Sequence, residues 1–263
     1  MIDSRWLLFL LAWALAAAVQ LVLYLVQRRT GDATAVDAGW AASLAAIAVL
    51  YGLLADGDAT MRALVAVTAG LENLRLAVHV SRRIGAGEDR RYRELRARWR
   101  ARGIEQRRFL VFFQAQALLA AILSLPLLLA AFDDGIGALA WVGAALWLVA
   151  ASLEWVADAQ LRRFTREPAN DGRTMRSGLW RYSRHPNYFF QWLTWVAYAL
   201  IALAAPYGWI GLVSPAIMLM LILFVTGVPP AEESSLRSRG DEYRSYQRAT
   251  SVFVPWFPKG QGA

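Results

Sequence analysis

The stretch WLLFLLAWALAAAVQLVLYLV, Trp6 to Val26, decides the fold. At about 1.5 Å per residue it is long enough to cross a hydrocarbon core of roughly 30 Å as one helix. It is also too long for a signal peptide. The Ala16–Ala18 run imitates a cleavage region, but Leu21–Val26 continues the apolar stretch past it. Working outward, apolar runs recur at 38–54, 61–80, 109–132, 136–157, 188–205 and 207–228. The expected fold is therefore all-α: one integral membrane domain over 1–263, with seven transmembrane helices in one bundle. Composition agrees, since 57% hydrophobic and 18% charged residues exclude an ordinary water-soluble globule.

The remaining charge is lopsided. The formal net charge is +8, and Lys259 is the only lysine, so the cations are arginines suited to fixed anion contacts. The absence of cysteine excludes disulfide scaffolds, thiolate metal sites and cysteine nucleophiles. Two histidines, His79 and His185, leave little for a metal, and no metal or nucleic-acid partner is expected. Eleven arginines lie between Arg82 and Arg108, and seven more between Arg162 and Arg184. By the positive-inside rule both segments face the cytoplasm. The turns Asp56-Gly57-Asp58 and Asp133-Asp134-Gly135 then face outside, as does the amino terminus, and the tail from Glu232 is cytosolic.

Ionisable residues inside apolar spans are costly unless they face the bundle interior. Glu72, Arg75 and His79 share one face of the third span, and Glu154, Asp158 and Arg162 recur at four-residue intervals at the end of the fifth. Asn187 and Gln191 repeat that spacing at the start of the sixth, and Asp37 opens the second. Glu72–Arg75 and Asp158–Arg162 also read as local ion pairs that make burial tolerable. The densest local signal is Ser177-Gly178-Leu179-Trp180-Arg181-Tyr182-Ser183-Arg184-His185-Pro186-Asn187-Tyr188. A proline suited to a first helical turn follows arginines able to hold phosphate, and the stretch reads either as a phosphate site or as a basic interface anchor.

That run, together with the tail Glu232-Glu233…Gly240-Asp241-Glu242-Tyr243…Tyr246-Gln247…Phe253-Val254-Pro255-Trp256-Phe257-Pro258, resembles the bacterial branch of the steroid 5-alpha-reductase superfamily. An Arg-His-Pro-x-Tyr element also occurs in isoprenylcysteine carboxyl methyltransferases. The resemblance covers the half from Glu154 onward. It implies a seven-helix reductase of the bacterial inner membrane that holds NADPH from the cytoplasmic side. Its substrate would be the C=C bond of an enone, such as a Δ4-3-ketosteroid or similar lipid, entering from the bilayer. No Gly-x-Gly-x-x-Gly unit is present, as suits a family that does not use a Rossmann fold.

Carried over by position, the resemblance assigns cofactor contacts to Glu154, Asp158, Arg162, Arg166, Arg173, Tyr182, Arg184, His185, Asn187, Gln191, Glu232 and Tyr243. Gln191 stands where relatives commonly have an acid. The Gln-Glu pair that polarises substrate in animal relatives is not recognisable; Asp37 and Glu72 occupy roughly its depth and separation and are the catalytic candidates. Trp40, Arg75 and His79 are the substrate-side candidates. The implied chemistry needs a hydride donor, a hydrogen-bond donor on the ketone oxygen and exclusion of water. A carboxylic acid kept protonated by a low dielectric can be that donor. Two other functions fit the composition. A membrane methyltransferase would take S-adenosylmethionine, which has no phosphate and needs no arginine cluster. A lipid-binding scaffold would explain the arginines but not the buried acids.

Overall fold

The computed structural model describes residues 1–259; residues 260–263, the end of the expected single domain, lie outside the described residues. Ten α-helices account for most of the described residues: α1 (Arg5–Thr30), α2 (Ala35–Leu54), α3 (Ala59–Ser81), α4 (Arg90–Arg100), α5 (Glu105–Leu123), α6 (Leu125–Ala131), α7 (Ala138–Arg166), α8 (Pro186–Ala202), α9 (Val213–Met220) and α10 (Val228–Ala249). Short 3-10 turns at Gly178–Arg181 and Gly208–Leu212 and a π-turn at Leu221–Val225 interrupt the later helices. Five helical stretches are long and apolar enough to cross a membrane: α1, α2, α3, α7 and Gly208–Ala249, whose apolar part precedes α10. A sixth is the pair α5 and α6, bent by 40°. The protein is thus an all-helical integral membrane protein. The remaining expected crossing, 188–205, corresponds to α8, whose 17 residues reach only about 26 Å at 1.5 Å per residue.

Local chemistry explains the boundaries. α1 outruns the apolar stretch at both ends because Ser4 Oγ accepts from Leu7 N (3.2 Å), and because Gly31, at φ 71°, donates to Gln27 O (2.8 Å). The single run at 109–132 bends because Pro126 removes a backbone donor just after Ser124. The Ser124 hydroxyl bonds Tyr51 (2.9 Å) and Ala121 O (2.8 Å), so its polarity is satisfied inside the bundle.

The chain divides into two compact units. The first comprises Met1–Trp141 with Tyr198–Ser214. Its two ends differ in charge. At one, Ile2 pairs with Leu54 O, and Asp58 N donates to Asp133 O (2.8 Å), which brings both acidic turns together. Gly57 is required there, because a Cβ would lie 2.4 Å from Ala131 O. At the other end, Gln27 bonds Gln106 (2.8 Å) and Ala33 N donates to Glu88 (3.0 Å), gathering Arg28, Arg29 and the eleven arginines of 82–108.

Within this unit α2 and α3 form an antiparallel hairpin whose register is fixed by small residues. Gly52 lies against Ala66 and the Arg62 carbonyl, and Gly70 against Val49. Extending that register puts Glu72 level with about residue 46 and His79 with about residue 39. Asp37 and Glu72 are then separated along the axis by nine residues, roughly 13 Å at 1.5 Å per residue. Each therefore stands at its own level of the hairpin.

The second unit comprises Val142–Ala197 and the segment from Pro215. It contains most of α7 and α8, the π-turn, α10 and the tail. α10 is broken at Gly240, whose φ of 51° and ψ of −122° are open to glycine. The tail then folds back, with Lys259 N bonded to Ala249 O (2.9 Å).

Candidate functional site

In the second unit, the segment that precedes α8 is held by groups on three sides. Leu179 N donates to Gln160 Oε1 (3.0 Å), and Trp180 Nε1 donates to Ala157 O (3.0 Å), which fastens Gly178–Arg181 to α7. Tyr246 of α10 donates its hydroxyl to Trp180 O and to Ser183 O. Ser183 Oγ donates to Phe253 O (2.8 Å), and Trp256 N donates to Tyr182 O (2.9 Å). Pro186 opens α8, where its missing N–H costs nothing.

This framework brings Arg184, His185, Glu232 and Tyr243 together around one carboxylate. Glu232 Oε1 accepts from Arg184 Nε (2.6 Å) and Tyr243 OH (3.4 Å), with His185 Nε2 also 3.4 Å away, and Oε2 accepts from Gln247 (2.9 Å). Arg184 Nη1 donates to Gln247 O (3.0 Å) and Thr250 O (2.7 Å). The Arg184 guanidinium therefore fastens α10 and the tail, rather than projecting as an open phosphate ligand. Burial alone would raise the Glu232 pKa, but hydrogen bonds from His185 and Arg184, the Arg184 charge and Gln247 outweigh it and hold the carboxyl down to about 2. Burial and the Glu232 charge push Tyr243 up to about 12.

A pH dependence follows. Because Glu232 is depressed from 4.5 to about 2, its contribution to stability is complete above pH 4.5 and lost as pH falls toward 2. Melting of the wild type and Glu232→Gln in detergent should differ most above pH 4.5, and the gap should close toward pH 2. A gap independent of pH would mean that the carboxylate charge does not matter there.

A second group lies along α7. Glu154 and Asp158 are buried at successive turns, and Asn187 Nδ2 donates to Asp158 Oδ1 (3.1 Å). Gln191 follows one turn later on α8 and is half-buried. Beyond Asp158 the same four-residue spacing continues with Arg162 and Arg166, and Arg173 follows in the next loop. Arg166 and Arg173 are exposed, and none of the three is joined to a carboxylate among the described residues. The expected Asp158–Arg162 ion pair is thus not formed. Tyr182, also exposed, packs edge-on to Phe257 (6.0 Å). Arg162, Arg166 and Arg173 offer open guanidinium groups to an anion in the same unit as the Asn187 amide, which Asp158 holds.

The first unit places the other candidates. Glu72 is buried and accepts from Arg75 Nη2 (2.6 Å) and Nε (3.2 Å). Asp37 accepts from Tyr92 OH (2.6 Å) and Arg91 Nη2 (2.9 Å), so it anchors α4. Trp40 is half-buried on α2, and its Nε1 has no hydrogen-bond partner among the described residues. His79 is half-buried near the end of α3. Among the described residues no group of His, Asp and Glu is arranged to hold a metal ion.

Sequence reasoning missed the partners of Asp37 and the cluster around Arg96. A signal for both was present: Tyr92, Leu95 and Trp99 give α4 one apolar face, and Arg96 falls on it. It also missed Glu242, which holds Thr174 through N (3.1 Å) and Oγ1 and pairs with Arg176 (3.5 Å).

Compared with known proteins, residues 23–250 match a family model described as Protein of unknown function (DUF1295). No curated protein and no solved structure matches the chain.

Proposed function

We propose that this chain, which belongs to that family, is an NADPH-dependent membrane reductase acting on the C=C bond of an enone, probe substrate a Δ4-3-ketosteroid. The supporting observation is the uncompensated set Arg162, Arg166 and Arg173 in the same unit as the Asp158–Asn187 amide clamp. NADPH, when bound, supplies the hydride. Its pyrophosphate and 2′-phosphate call for fixed cations, and its carboxamide calls for a neutral group that both donates and accepts, which Asn187 and Gln191 provide. The resemblance of the run Gly178–Tyr188 and of the tail to steroid 5-alpha-reductases points the same way. The reductase reading also asks for a donor at the ketone oxygen, the role expected of Glu72. The same proposal includes the seven-crossing topology in the bacterial inner membrane, with α8 as the sixth crossing and the arginine-rich segments and carboxyl terminus cytosolic.

The test is cofactor binding by purified protein in detergent, read by nicotinamide fluorescence. NADPH should bind, and Arg166→Ala or Arg173→Ala should weaken NADPH about ten- to a hundredfold more than NADH, because a charge-assisted contact to the 2′-phosphate is worth about 1.5–3 kcal/mol. Neither side chain has a partner among the described residues, so the fold should survive. Equal losses for both cofactors would move these arginines to the pyrophosphate or the membrane surface. Binding of S-adenosylmethionine in place of NADPH would reassign the protein to methyl transfer.

A further inference from the structure

We propose that the first two turns of α5 form a binding site for an anionic glycerophospholipid. Ile104, Arg107, Arg108 and Val111 line a cavity of about 290 Å³ in the first unit. Their spacing of three, four and seven residues puts all four on one helical face, with two guanidinium groups between two apolar walls.

Charge at this place is uncompensated. The acids of the neighbouring segment are engaged by other arginines: Glu88 and Glu105 by Arg96, Asp89 by Arg91, and Glu94 by Arg90. Arg107 and Arg108 are exposed and joined to no carboxylate among the described residues. The bond between Gln27 and Gln106 holds the end of α1 at the same level, adding the exposed pair Arg28 and Arg29.

The apolar part of the face chooses between a lipid and a free anion. Val111, Ala115 and Leu118 continue it as exposed residues down α5, one helix of the bent membrane-crossing pair. A phosphate seated between Arg107 and Arg108 would therefore have its acyl chains against Val111 and Leu118. A soluble phosphate compound would leave that stripe unused. The lipid must be anionic, because a zwitterionic headgroup brings a second charge of the wrong sign to the arginines.

The experiment uses delipidated full-length protein in neutral detergent, with phosphatidylglycerol or phosphatidylcholine of identical acyl chains, and native mass spectrometry to count retained lipid. Phosphatidylglycerol should be retained in preference. Arg107→Ala with Arg108→Ala should weaken it roughly thirtyfold, the effect of two interfacial arginines, while helical circular dichroism stays unchanged. Arg98→Ala with Arg102→Ala removes the same charge from exposed positions of the same segment and should leave retention almost unchanged. Equal retention of both lipids, or equal loss in both double variants, would overturn the site. Release of the lipid by inorganic phosphate or by NADPH would also overturn it, by assigning the arginines to a soluble anion.

Discussion

Arg96→Ala should lower the stability of the protein in detergent by about 3–5 kcal/mol, the range for breaking a buried ion pair by removing one partner. Arg96 is 9% exposed at its side chain, between Glu88 at 11% and Glu105 at 13%. Its Nε and Nη2 fork onto Glu88 (2.8–3.2 Å), Nη1 reaches Glu105 (2.5 Å), Nη2 also reaches Gln27 (3.1 Å), and the guanidinium lies 4.5 Å from the Phe109 ring centre. Truncation leaves two carboxylates close together with too little positive charge. It also frees Glu88, which holds Ala33 N, so the connection between α1 and α2 should loosen with α4. Thermal unfolding followed by circular dichroism measures the loss. Arg96→Lys should be intermediate, since a lysine retains the charge without the fork. Arg96→Met combined with Glu88→Gln and Glu105→Gln should recover much of the stability, because no buried charge is then left unpaired. Arg100 also bonds Glu105 (2.7 Å) but is 68% exposed, and Arg100→Ala should barely change the melting temperature. Equal losses at Arg96 and Arg100 would refute the argument from burial.

The contrast between Arg96 and its neighbours shows what the sequence discloses. Eleven arginines in one segment give an expectation of membrane side, a statement about the sum of charges. Which of them is buried depends on α4 turning Tyr92, Leu95, Arg96 and Trp99 onto the aromatic cluster of Phe109 and Phe113, a tertiary fact. The apolar runs were legible because burial in lipid demands length and little else. Their ends were less so: Thr30 is helical because of Gly31, and the run at 109–132 bends at a single proline that its apolar neighbours outweigh in the mean hydropathy. Among the site residues, positions 184, 185, 232 and 243 all stood among the cofactor contacts that the resemblance assigned. That Arg184 serves Glu232 and the carbonyls of Gln247 and Thr250 was not legible, because no spacing in sequence relates the segment before α8 to residues 247–250. Asp37 and Glu72 were paired by analogy, and the small-residue register of α2 and α3 separates them.

Glu72→Gln separates the two roles that this buried carboxyl can have. If Glu72 acts on the ketone oxygen, the variant keeps its shape and a weaker donor. Folding and NADPH affinity should then survive while turnover of a Δ4-3-ketosteroid falls about 10²–10³-fold, as when an oxyanion-type donor is removed. If it serves only as the partner of Arg75, at 2.6 Å, the substitution removes a buried ion pair from α3. Melting temperature should then drop, and activity should follow the folded fraction alone. Asp37→Asn gives an independent reading, because the hairpin register places it roughly 13 Å along the axis, beyond direct coupling. Its loss should weaken the hold on Arg91, which keeps Asp89, and on Tyr92, and so loosen α4, with an effect that adds to that of Glu72→Gln. A double variant no worse than the poorer single one would show that the two carboxyls act as a unit despite the register. Full turnover by a stable Glu72→Gln protein would remove Glu72 from the chemistry, and the donor would then have to be sought among the groups proposed to hold the cofactor around Asn187.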